Sequence, residues 1–123
     1  MAKKILIVED EPSLSKIVKK KVEQLGYAVA TAVDGHDALA KIKSVKPDLI
    51  ILDIIMPKKN GIEVLRELRV NLESNVPVLV LSNLEGRQDI EASRHYGVTD
   101  YITKSDISLS YLTARIAKIL RDT

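Results

Sequence analysis

Five side chains in this chain have the types needed for chemistry at phosphorus, provided the fold brings them together: Glu9, Asp10, Asp53, Ser82 and Lys104. Each follows a short apolar run. Glu9 and Asp10 follow Lys4–Val8, Asp53 follows Asp48–Leu52, Ser82 follows Val76–Leu81, and Lys104 follows Asp100–Thr103. Crowded carboxylates repel one another, and a divalent cation relieves the repulsion. An all-oxygen site with room for water suits Mg²⁺ rather than a soft metal. An aspartate held beside such a cation and a lysine can attack phosphorus, because the two positive groups neutralise charge on the transferring oxygens. Aspartyl phosphates are known covalent intermediates of this kind. A serine hydroxyl can then hydrogen-bond a phosphoryl oxygen.

Taken singly, each residue has an ordinary explanation. Glu9, Asp10 and Glu11 would suit a solvated helix N-terminus. Ser82 would be a turn residue and Lys104 a surface lysine. A helix-cap role for Asp53 is poor, because Pro57 and Gly61 make a loop after it. Only convergence of the set favours chemistry, so the elements that carry it decide the matter.

Two periodicities alternate along the chain. The runs Lys4–Val8, Tyr27–Ala32, Asp48–Leu52, Val76–Leu81 and Asp100–Thr103 read as strands. Between them, apolar residues recur at helical spacing. Leu14, Ile17, Val18, Val22 and Leu25 mark a first helix, with Pro12 in its first turn and Gly26 at its stop. Ala38, Leu39, Ile42 and Val45 mark a second, ending before Pro47, and Ile62, Leu65, Leu68 and Leu72 a third. The fourth, from about Arg87 to Tyr96, has the poorest apolar stripe, so it is the element expected to move most readily. Leu109, Leu112, Ile116, Ile119 and Leu120 mark the last.

Five strand–helix units predict one α/β domain over residues 1–123, a parallel sheet with helices on both faces. The strands are nearly continuous apolar runs, as strands buried on both sides must be. Ligands of such sheets bind beyond the carboxyl ends of the strands, where strand order reverses. All five candidate residues fall at those ends.

The bulk properties exclude much else. A net charge of +2, from 19 basic and 17 acidic residues, argues for neither nucleic acid nor a membrane surface. Lys16, Lys19, Lys20 and Lys21 read as a solvated helix face. With no Trp or Phe, stacking platforms for single-stranded nucleic acid are not expected. No cysteine is present, so disulfide and thiol chemistry are excluded. The apolar run at the N-terminus is too short for a secretory core or a membrane span, and a cytoplasmic protein is expected. His36 and His95 have no partner at metal-ligand spacing and read as surface residues.

Four stretches in this order resemble response-regulator receiver domains of two-component signalling: Ile7-Val8-Glu9-Asp10-Glu11, Asp53-Ile54-Ile55-Met56-Pro57 with Gly61 following, Leu81-Ser82, and Asp100-Tyr101-Ile102-Thr103-Lys104. The resemblance covers essentially the whole chain. It implies a flavodoxin-like (βα)5 fold with strand order 2-1-3-4-5. By matching position, it also implies that Asp53 is the phosphoacceptor. Asp10 would hold Mg²⁺ directly and Glu9 through water, with the backbone carbonyl of Ile55 as the third protein oxygen. Ser82 and Lys104 would contact the phosphoryl group, and Ser82 and Tyr101 would be the switch residues. The implied partners are a histidine kinase or phosphotransfer protein, then an output domain, a partner protein or a second copy. These would meet the surface of the fourth helix, fifth strand and fifth helix.

The chain departs from the family pattern after Lys104, where proline is usual and Ser105 stands. A cis bond before a non-proline residue costs about 3–4 kcal/mol, so a trans bond is expected. Asn83 replaces the small residue usual after the hydroxyl. In the family, the side chains two beyond the phosphoacceptor and two beyond the hydroxyl flank the approach of water; by that resemblance the positions are Ile55 and Leu84, which have no group to orient it, so a long-lived phosphorylated form is expected. An Mg²⁺-dependent phosphohydrolase with an aspartyl nucleophile would need an acid two residues after Asp53, where Ile55 stands. A degenerate module binding constitutively would not need the complete set of five. The expectation is therefore a signalling domain that catalyses only its own phosphorylation and dephosphorylation.

Overall fold

The computed structural model describes residues 2–54, 60–82, 87–104 and 108–121, with only the backbone of Ser82 and of residues 87–90. The strands are β1 (Lys4–Val8), β2 (Ala28–Ala32), β3 (Leu49–Leu52), β4 (Val78–Ser82) and β5 (Asp100–Thr103). The helices are α1 (Pro12–Gln24), α2 (Gly35–Val45), α3 (Gly61–Arg66), α4 (Arg87–His95) and α5 (Leu109–Arg121). All strands are parallel, in the order β2-β1-β3-β4-β5. This is the flavodoxin-like arrangement expected from the sequence.

Alternation along the strands divides the core in two. Leu6 and Val8 of β1, Ile50 and Leu52 of β3, and Val78 and Val80 of β4 pack with Ala38, Leu39 and Ile42 of α2 and Val64 and Leu65 of α3. Ile5, Ile7, Leu49, Ile51, Leu79 and Leu81 point the other way, onto Val18 and Val22 of α1 and Leu112, Ile116, Ile119 and Leu120 of α5. Both layers exclude water almost completely, which explains the unbroken apolar runs. Lys16, Lys19 and Lys20 of α1 are exposed, as are His36 and His95.

The element ends differ from the expected ones for local reasons. β3 begins at Leu49, not Asp48, because the Asp48 carboxylate accepts the Lys4 amide at 2.8 Å. β4 begins two residues late, since the carbonyl of Val76 accepts from Arg69 and Pro77 has no N–H to give. β2 starts at Ala28 and α4 stops at His95, each one residue inside the predicted limit. The third helix is not uniform. It is α-helical only to Arg66, then widens into a π-helical turn over Glu67–Asn71, with Leu72 N–H bonded to the carbonyl of Glu67 at 2.9 Å.

Register places the chemistry. Val8 pairs with Leu52, so Glu9 and Asp53 emerge side by side from the two central strands. Ser82 pairs with Thr103, which brings Lys104 to the same edge.

Candidate functional site

Asp53 and Glu9 are carboxylates with almost no exposure, 2% and 4%, at the ends of β3 and β1. Backbone bonds continue the ladder one step past each strand: Asp53 N–H donates to the carbonyl of Val8, and Glu9 N–H to that of Ala32, each at 3.0 Å. Asp10, the next residue, is exposed. Oxygens of Glu9, Asp10 and Asp53 lie within 4.8 Å of one another, close enough to share one cation. The donors are carboxylate oxygens only, and one of the three residues is open to solvent. That set fits Mg²⁺, a hard ion that keeps much of its water.

Lys104 reaches into this group from the end of β5. Its ammonium donates to Glu9 Oε1 at 2.7 Å, to Asp53 Oδ2 at 3.0 Å and to Glu11 Oε1 at 3.3 Å. Its side chain is 9% exposed, so the first two contacts are nearly dry, whereas the Glu11 side chain is 57% exposed. Burial raises the Glu9 pKa, and the Asp53 charge raises it further. The hydrogen bond and charge of Lys104 oppose this, leaving the Glu9 carboxyl at about 7. Burial would lower the Lys104 pKa, but its bonds to Glu9 and Asp53 outweigh that and push it upward, so the ammonium stays charged.

Gly61 matters for a reason that spacing alone does not reveal. Its N–H donates to the carbonyl of Ile54 at 2.8 Å. A Cβ there would lie 2.6 Å from the Ile54 Cα and 2.7 Å from the Asp53 carbonyl oxygen. The start of α3 therefore closes directly onto the backbone that carries Asp53. Asn60 caps α3, its side chain accepting the Glu63 amide at 3.0 Å.

Tyr101 lies on the α4 side of β5. It is half-buried, packs against the cluster that includes Leu6 and Val8, and has its hydroxyl oxygen shielded from solvent. Ser82 ends β4 beside Thr103, although its side chain lies outside the described residues. The Ile55 carbonyl, Asn83, Leu84 and the Lys104–Ser105 bond lie outside them as well.

Residues 5–117 match the response regulator receiver domain family. The chain belongs to that family. Among the receiver domain's relatives, it is 41% identical over 121 residues to the alkaline phosphatase synthesis transcriptional regulatory protein PhoP of Bacillus subtilis, covering 98% of this chain and 50% of that protein. It is 40% identical over 121 residues to the probable transcriptional regulator ycf27 of Cyanophora paradoxa, covering 98% of this chain and 49% of the other. The receiver domain thus spans about half the length of these curated relatives. Its fold is similar to a CheY-like response regulator receiver domain protein from Methanospirillum hungatei, with a TM-score of 0.93 and 26% identity over 99% of this chain and 96% of that one.

Sequence reading passed over two features of the receiver domain. Glu11 touches Lys104, where its place in an acidic run suggested solvent alone. Arg69 makes four bonds to main-chain carbonyls, a role with no mark in the sequence, because any residue supplies a carbonyl. No helix among the described residues is long and apolar enough to cross a membrane.

Proposed function

We propose that this receiver domain accepts a phosphoryl group on Asp53 from the phosphohistidine of a kinase or phosphotransfer protein. The observation that carries the reading is the ammonium of Lys104 bonded to both Glu9 and Asp53 at the ends of the two central strands. An Asp53 carboxylate oxygen attacks phosphorus, the phosphorus–nitrogen bond breaks, and the imidazole leaves as the acyl phosphate forms. Lys104 is close enough to follow charge from the carboxylate onto the phosphoryl oxygens. Glu9, Asp10 and Asp53 would hold Mg²⁺, with the Ile55 carbonyl as a further oxygen. The cation supplies charge neutralisation for the transfer. Ser82 would bond a phosphoryl oxygen once it has arrived.

The output is a change in the surface of α4, β5 and α5, read through Ser82 and Tyr101 by an output domain, a partner protein or a second copy. Reaction and output both belong to a cytoplasmic setting, where such kinases present their histidine. The protein acts on no external substrate.

The test is intact mass after incubation with acetyl phosphate and Mg²⁺. The protein gains one phosphate and Asp53→Asn gains none. Stoichiometric phosphorylation of Asp53→Asn would overturn the assignment. Rapid turnover of the phosphodonor without a phosphorylated species would favour a hydrolase instead.

A further inference from the structure

Arg69 sits in the π-helical turn that follows α3. Its guanidinium donates to four main-chain carbonyls in two separate segments. Nη1 bonds Ser74 at 3.0 Å and Val76 at 2.7 Å, in the connection that leads into β4. Nε bonds Tyr96 at 2.7 Å and Nη2 bonds Gly97 at 3.0 Å, at the end of α4. The widened turn and two left-handed residues, Glu73 (φ 50°) and Gly97 (φ 77°), shape the two segments that meet at this one side chain.

Among the described side chains of α4 only Ser93 is fully buried; Ala92 is half-buried, and Glu91, Arg94 and His95 are exposed. Tyr96, just past its end, packs on the α3 side of the core. The opposite end of the helix follows Ser82 after a short connection. Its nine residues span about 13 Å, at 1.5 Å per residue. A planar fork with fixed donors can hold four carbonyls at once, whereas a lysine ammonium is a point charge with three donors.

We propose that Arg69 is the pivot of the output surface. It is a positioning residue that ties the C-terminal end of α4 to the entrance of β4, so that phosphorylation moves α4 as a tilt about Gly97, largest at Arg87. The inference rests on the reading of Asp53 as phosphoacceptor and adds how the movement is constrained.

The test uses the full chain, ¹⁵N-labelled, with beryllium fluoride and Mg²⁺ as the phosphoryl mimic. In the wild type, amide shift changes fall from Arg87–Glu91 toward Tyr96–Thr99. In Arg69→Met, phosphorylation by acetyl phosphate is unchanged in mass. The amides of Tyr96, Gly97 and Thr99 exchange with solvent at least about tenfold faster, and the shift changes spread across Tyr96–Thr99. Arg69→Lys behaves like Arg69→Met, though less severely, and decides the matter should the methionine variant not fold. Wild-type changes as large at Tyr96–Thr99 as at Arg87–Glu91 would overturn the pivot. So would an unchanged gradient in folded Arg69 variants. If neither acetyl phosphate nor beryllium fluoride alters the wild type, the phosphoacceptor reading is what fails. Amide exchange in the variants then still tests the clamp.

Discussion

Removing the charge of Lys104 should expose how much of the fold's stability this one ammonium protects. In Lys104→Met, Glu9 and Asp53 keep their places at the strand ends, 4% and 2% exposed, without the cation that now lies 2.7 and 3.0 Å from them. Taking one partner out of a buried ion pair costs about 3–5 kcal/mol, because the remaining charge is left uncompensated. The contact with Glu11 adds little, since that side chain is 57% exposed and screened. A further limit comes from Glu9. Its pKa is about 7 with Lys104 present, and Lys104 is what lowers it, so without the lysine the carboxyl takes up a proton more readily. Protonation caps the penalty, and we expect a loss of about 3 kcal/mol at about pH 8.5 in the presence of a chelator. For a chain of 123 residues that is a fall in Tm of about 10 °C. At about pH 5.5, Glu9 is already protonated and has no charge left to lose its partner, so the loss should be smaller. Excess Mg²⁺ should restore most of the stability at about pH 8.5, where the carboxylates are free to hold a cation that stabilises the folded form alone, and less at about pH 5.5, where Glu9 carries a proton. Urea unfolding at both pH values, with chelator and with Mg²⁺, measures all four quantities. A variant as stable as the wild type in chelator would refute the reasoning. So would a loss that neither acid nor Mg²⁺ reduces.

Other substitutions probe the remaining parts. Gly61→Ala forces a Cβ against the backbone of Asp53 and Ile54 and should cost about 2–3 kcal/mol in urea unfolding, while slowing phosphorylation of Asp53; unchanged stability would show that α3 can shift without strain. In chelator, folded Glu9 keeps its proton up to about pH 7, against an ordinary value of 4.5. Its stabilisation is therefore present below pH 4.5 and lost as pH rises through 7. The stability difference between wild type and Glu9→Gln should move against the wild type by on the order of 3 kcal/mol across that window, and a flat difference would contradict the burial argument. Tyr101→Ala should lose about 2–3 kcal/mol from the half-buried ring, leave the mass gain on Asp53 intact, and weaken the shift changes that beryllium fluoride causes across Arg87–Leu112. A full response in that variant would remove Tyr101 from the switch.

Much of this architecture is legible in the chain itself. Apolar runs such as Ile5–Val8 and Leu49–Leu52 have no polar residue to face water, so they must be covered on both sides, and helices at the intervening positions are what cover them. The five strand runs lead, in four cases, to Glu9, Asp53, Ser82 and Lys104, which places the chemistry at one edge before any pairing is known. The β5 limits, Asp100–Thr103, match the sequence pattern fully. Periodicity, however, states which face of an element is apolar and not which element lies against it. Only the tertiary structure sets Val8 opposite Leu52, and so Glu9 beside Asp53, and brings Lys104 to Glu9 across 95 residues of chain. The pKa of Glu9 follows from that dry meeting of charges and from nothing local. Gly61 looks like a turn residue until the Asp53 backbone is found against it. The π-helical turn and the four carbonyls held by Arg69 left no trace in residue types, because main-chain acceptors are the same in every residue and their positions exist only once the chain has folded.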